Sequence, residues 1–74
     1  KTMEPNKSSY EVRDIAIALC NGEVDEIKIR ELGKNKIRPR LRDIYPEQAP
    51  GTGGRWKLTY EQALGELTYW RNQI

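Results

Sequence analysis

Four cations fall within seven residues, Lys36, Arg38, Arg40 and Arg42, with no acid among them. An arginine fork can bond guanine O6 and N7 together, or grip a phosphate in the same planar way. Lys34 stands just before this run, and Arg55 and Lys57 follow after a Pro/Gly-rich loop. Residues 28–57 carry nine Lys/Arg against Glu31, Asp43 and Glu47, a local excess of six, although the whole chain is only +2. The remaining residues carry four cations against eight acids. A basic centre with acidic flanks is the electrostatic footprint of a nucleic-acid reader. A face that docks an acidic protein has the same signature, and so does a solvated charge run.

Other chemistries find little to work with. The chain has no histidine, which removes His-based acid–base catalysis and zinc sites of the Cys/His type. Cys20 is the sole cysteine, so no internal disulfide can form, and its place beside Leu19 suits a buried, inert thiol. Glu23, Asp25 and Glu26 cluster in sequence, and a solvated acidic turn explains them better than a metal site. Gly51-Thr52-Gly53-Gly54-Arg55 fits neither G-x-x-x-x-G-K-[ST] nor G-x-G-x-x-G, which disfavours a bound nucleotide. Neither an enzyme nor a cofactor is expected. No apolar run approaches the roughly 20 residues of a membrane span and nothing resembles a signal peptide, so the expected compartment is the cytoplasm.

Seventy-four residues allow one domain with a thin core, because a chain this size buries only about 60% of its unfolded surface. With no Phe, that core must come from Ile, Leu, Val, Ala and the six Trp and Tyr residues. Residues 1–7 lack apolar periodicity and read as a flexible tail, leaving 8–74 as the domain. Ser8-Ser9-Tyr10-Glu11 has capping-box spacing, and Val12, Ile15, Ala16 and Leu19 then mark one face of a helix. Asn21-Gly22 closes that helix.

Glu23 to Gly33 admits two readings. Ile27-Lys28-Ile29-Arg30 alternates as a half-buried strand does, and the preferred reading is a short strand at about Glu26 to Ile29, then one helical turn through Arg30-Glu31-Leu32 stopped at Gly33; a continuous helix is the alternative. From Lys36 to Tyr45 the pattern is helical, with Ile37, Leu41 and Ile44 on the inner face. Pro39, tolerated only in a first turn, sets the start near Asn35 or Lys36, and Pro46 ends the element. Pro46 to Gly54 is loop. Arg55-Trp56-Lys57-Leu58 reads as a strand with Trp56 and Leu58 inward. Thr59-Tyr60-Glu61-Gln62 is a second capping box, and its helix runs to about Asn72. Trp56 and Trp70 both fit the core better than a base-stacking platform.

Ile29-Arg30-Glu31-Leu32, Arg40-Leu41-Arg42 and Gly54-Arg55-Trp56-Lys57-Leu58-Thr59 resemble the winged helix-turn-helix domains of phage excisionases and MerR-type regulators. The resemblance spans roughly residues 27–70, with a shorter turn before the second helix and an additional capped helix at Ser9 to Cys20. It implies a mainly α domain with a small β-hairpin or three-stranded wing. It also implies double-stranded DNA as partner, with residues 36–45 in the major groove and the 51–55 loop as wing, in transcription regulation or recombination. Lys34, Lys36, Arg38, Arg40, Arg42, Arg55 and Lys57 are the candidate DNA-binding residues, Arg38 and Arg42 for bases, Lys34, Lys36, Arg40 and Lys57 for phosphate, and Arg55 as the wing residue on the adjacent backbone or minor groove. A module this small is expected to act as a homodimer or within a larger chain.

Overall fold

The computed structural model describes residues 5–51 and 54–73. Its elements are helical: α1 (Val12–Leu19), α2 (Glu26–Leu32), a π-helical turn (Gly33–Ile37), α3 (Arg38–Ile44), a 3₁₀ turn (Pro46–Gln48) and α4 (Tyr60–Gln73). Among the described residues there is no strand and no sheet, so the expected β wing is absent. Residues 55–58 instead run as an extended segment that touches the rest of the backbone at one antiparallel bridge, Tyr10 with Leu58. Each of these two donates its N–H to the other's carbonyl at 2.9 Å. The expected alternation nevertheless holds there: Trp56 and Leu58 are buried, while Arg55 and Lys57 are exposed.

The helix-turn-helix gives way as well, because nothing interrupts the chain between Glu26 and Ile44. Leu32, Gly33, Ile37 and Arg38 all keep right-handed helical angles, so α2, the π turn and α3 form one rod. The strand at Glu26 to Ile29 is therefore replaced by the first turns of this rod. Asp25 starts it, its side chain accepting from the Lys28 N–H at 3.2 Å. The run after it, rich in Lys, Arg, Glu and Leu, favours helix. The two isoleucines that suggested a strand face opposite ways: Ile27 is 74% exposed and Ile29 only 5%.

The start inferred from Pro39 is also overturned, and the π turn is the reason. Proline has no N–H to return to the carbonyl four residues back, and its ring crowds that carbonyl. The five residues that end two positions before Pro39 are wound more widely, with the Arg38 N–H reaching Gly33 O. The rod passes through proline by widening rather than by stopping.

The same turn sets the register of the core. In a uniform α-helix every fourth residue drifts about 40° around the axis, so positions 29 and 41 would diverge by about 120°. A wider turn rotates less per residue and takes that drift back. Ile29, Gly33, Ile37 and Leu41 consequently all stay buried along one line. Gly33 permits the closest approach, since a Cβ there would lie 2.9 Å from Val12 Cγ1.

α1 and α4 complete the core with Ile15, Ala16, Ala63 and Leu67. The first cap lies three residues beyond the expected box: the N-cap is Glu11, whose N–H donates to Asp14 Oδ2 at 2.8 Å. α1 ends as expected at Asn21 (φ 57°) and Gly22 (φ 86°), with the Gly22 N–H reaching back to Ile17 O at 2.9 Å. The second capping box forms where the sequence puts it. Thr59 N–H donates to Gln62 Oε1 and Gln62 N–H to Thr59 Oγ1, both at 3.1 Å. Gln48 and Gln62 exchange amide hydrogen bonds of 2.9 and 2.7 Å, tying the 3₁₀ turn to the start of α4.

Of residues 1–7, expected as a flexible tail, 1–4 lie outside the described residues, and Lys7 is held by a 2.7 Å ion pair to Asp14. Among the described residues no helix is long and apolar enough to cross a membrane.

Candidate nucleic-acid interface

The rod carries a second line of side chains one residue ahead of the buried one. Arg30, Lys34, Arg38 and Arg42 repeat at the same four-residue interval and are all exposed. The wide turn that keeps Ile29 and Leu41 in register keeps Arg30 and Arg42 in register too. At about 1.5 Å per residue the row is about 18 Å long.

This row runs along a groove of about 540 Å³. One wall comes from the start of α1, with Glu11, Val12 and Arg13. The other comes from the segment before α4, with Pro50, Gly54, Arg55 and Trp56. Six cations thus converge among the described residues: Arg13, Arg30, Lys34, Arg38, Arg42 and Arg55. Two carboxylates stand with them, Glu11 and Glu26. Gly54 allows the loop to fold back tightly here, its N–H donating to Gly51 O at 2.9 Å. A Cβ at Gly54 would meet Pro50 Cβ at 2.9 Å. The middle of the expected wing, Thr52 and Gly53, lies outside the described residues.

Each carboxylate holds one arginine. Arg13 Nη1 and Nη2 bond the two oxygens of Glu26 at 2.8 and 2.5 Å, a bidentate fork. The hydrogen bond from Arg13 holds the Glu26 carboxyl below its ordinary value, and Glu26 in turn raises Arg13. Arg55 Nη1 lies 3.4 Å from Glu11 Oε1. No ion pair among the described residues involves Arg30, Lys34, Arg38 or Arg42.

Of the seven expected DNA-binding residues, the structure brings Lys34, Arg38, Arg42 and Arg55 into one groove. Lys36 and Lys57 are exposed but do not line it. Arg40 turns to the opposite side. Its Nε donates to both oxygens of Glu66 at 3.0 and 3.2 Å, and its guanidinium lies 3.4 Å from the Tyr69 ring centroid. Arg13 and Arg30 belong to the groove and were not among the seven. Arg30 could have been found by extending the four-residue interval upstream from Arg38 and Lys34; Arg13 carries no local signal, since it arrives by tertiary packing.

Trp56 lines the groove yet is only 3% exposed, so it offers no face for a base to stack on. Cys20 is buried. Glu23, Asp25 and Glu26 do not converge: Asp25 caps α2 and Glu26 pairs with Arg13. Among the described residues no three Cys, Asp or Glu side chains come together as metal ligands.

Comparison with known proteins brings no further witness: no family model fits the chain, and no curated protein or solved structure matches it significantly.

Proposed function

We propose that the chain binds double-stranded DNA through the basic groove, with the rod lying along the duplex. The carrying observation is the convergence of six cations on one face, four of them in a single row without ion-pair partners among the described residues. A row of about 18 Å matches about half of the 34 Å helical turn of a duplex. Arg30 and Lys34 take phosphates, Arg38 and Arg42 are the candidates for base edges in the major groove, and Arg55 grips the adjacent backbone. Lys36 and Lys57 are left for outlying phosphates, and Arg40 has no part in binding. A homodimer or a longer parent chain would multiply these few contacts, for regulation or for recombination.

Fluorescence anisotropy with duplex DNA over a salt series tests the reading. Each phosphate contact contributes a log–log slope of about −0.9, so the three groove cations placed on the backbone, Arg30, Lys34 and Arg55, should give about −2.7. Arg38→Ala/Arg42→Ala should bind more weakly at every salt concentration. Absence of binding at low salt would sink the proposal.

One observation favours a second reading, an acidic protein partner. Val12, Ile29, Pro50 and Trp56 line the groove beside its cations, and such apolar lining suits a peptide side chain. A shallow salt slope with DNA, alongside saturable binding of an acidic peptide, would decide for it.

A further inference from the structure

The two carboxylates in the groove are the features that the DNA reading leaves unused. A surface built only to attract phosphate gains nothing from Glu11 and Glu26, which stand among its cations and repel the ligand. Both are engaged, and each with an arginine of the same groove: Glu26 with Arg13 through two hydrogen bonds, Glu11 with Arg55 at 3.4 Å. The Arg13–Glu26 fork has the geometry that an arginine uses on a phosphate, two parallel N–H groups on two oxygens.

We infer that Glu26, and Glu11 with it, are built-in competitors that occupy Arg13 and Arg55 in the free protein, so that phosphate binding exchanges one acidic partner for another. This inference rests on the reading of the groove as a phosphate-binding face. The free protein then has two grades of cation. Lys34, Arg38 and Arg42 are available at once, Arg30 stands in the field of Glu26 without an ion pair to it, and Arg13 and Arg55 are released only when a phosphate displaces their carboxylates. The pairs are solvent-exposed and therefore weak, with the Arg13 and Glu26 side chains 50% and 60% exposed. A competitor of that strength tunes affinity without blocking the site. It also keeps the flanking arginines oriented across the groove before the ligand arrives, because Glu26 fixes both ends of the Arg13 fork.

The test is a double-mutant cycle on duplex-DNA affinity, measured by anisotropy at low salt. Glu26 is the residue to change, since Glu11 also caps α1. Glu26→Gln should tighten binding about two- to fivefold, the range that loss of one exposed ion pair allows. Arg13→Ala, which removes a groove cation and strands Glu26, should weaken binding, and Glu26→Gln should gain clearly less in that background than in the wild type. Glu47→Gln, an equal charge change at an exposed acid outside the groove, should give a clearly smaller gain than Glu26→Gln. The inference falls if Glu26→Gln leaves affinity unchanged, if Glu47→Gln matches it, or if the gain is as large in the Arg13→Ala background. Those results leave the DNA reading standing as long as wild type binds with a steep salt slope; failure of wild type to bind at low salt would remove both.

Discussion

Arg40 Nε lies 3.0 Å from Glu66 Oε1, joining the central rod to α4 through a carboxylate that is only 2% exposed. The arginine is 27% exposed and stacks on Tyr69, so the pair sits at the edge of the core with its acidic end inside. Removing one partner of a buried pair strands the other charge, typically at about 3–5 kcal/mol. Partial exposure of Arg40 lowers that figure. Arg40→Ala should therefore destabilise the fold by about 2–3 kcal/mol in urea titration, mostly through Glu66 left unpaired. Its salt slope for DNA, measured where the variant remains folded, should match wild type.

The cations should separate by position rather than by number. Lys34→Ala removes a groove cation and should shift the salt slope by about 0.9 toward zero. Lys57→Ala, at an exposed site outside the groove, should shift it by clearly less. Equal effects from the two would mean that charge alone, with no defined groove, governs binding.

Gly33 and Gly65 should respond to alanine with opposite signs. Both lie inside helical segments, where glycine is worse than alanine by roughly 0.5–1 kcal/mol. A Cβ at Gly65 meets nothing within 4 Å, so Gly65→Ala should stabilise by about that amount. A Cβ at Gly33 would sit 2.9 Å from Val12 Cγ1, on a β-branched side chain that is itself buried. Overpacking of this kind costs about 1–3 kcal/mol and outweighs the helix gain. Thermal melts of the two variants, run together, give the comparison.

The Arg13–Glu26 pair carries a pH signature. The folded-state value of Glu26 lies below its ordinary 4.5, chiefly through the hydrogen bond from Arg13. A depressed carboxylate contributes stability above its unfolded value and loses that contribution as pH falls through its folded value. The stability gap between wild type and Glu26→Gln should accordingly be present at pH 7 and shrink below about pH 4.5, as urea midpoints at several pH values would report.

How far the sequence discloses the molecule differs from element to element, for physical reasons. Local hydrogen-bonding signals read well: Thr59 with Gln62, and Asn21 with Gly22, form where their side-chain chemistry and backbone freedom require. Burial of Trp56 and Leu58 also read well from alternation, though a sheet did not follow, because alternation reports which side is buried and not what pairs along the backbone. The rod was legible only in halves. Ile27 and Ile29 mimic a strand, and Pro39 marks a helix start by every local rule. The wide turn that overrides both accommodates Pro39 and holds Gly33 against Val12, a contact between residues far apart in the chain. Among the site residues, Lys34, Arg38, Arg42 and Arg55 were legible as charge. Helical phase already puts Arg40 on the flank away from Arg38 and Arg42; what the sequence does not disclose is that Glu66 on another helix engages it there.

The π turn has a consequence for how this chain can vary. Because the buried row and the cationic row share one phase, a residue inserted between Gly33 and Ile37 rotates everything downstream by about 100°. Ile37 and Leu41 then leave the core in the same step that carries Arg38 and Arg42 off the groove. Substitutions along the exposed row can be accepted singly, since each alters one charge. Insertions in this segment cannot, so lineages carrying the groove should not lengthen residues 29–42 while their exposed side chains drift.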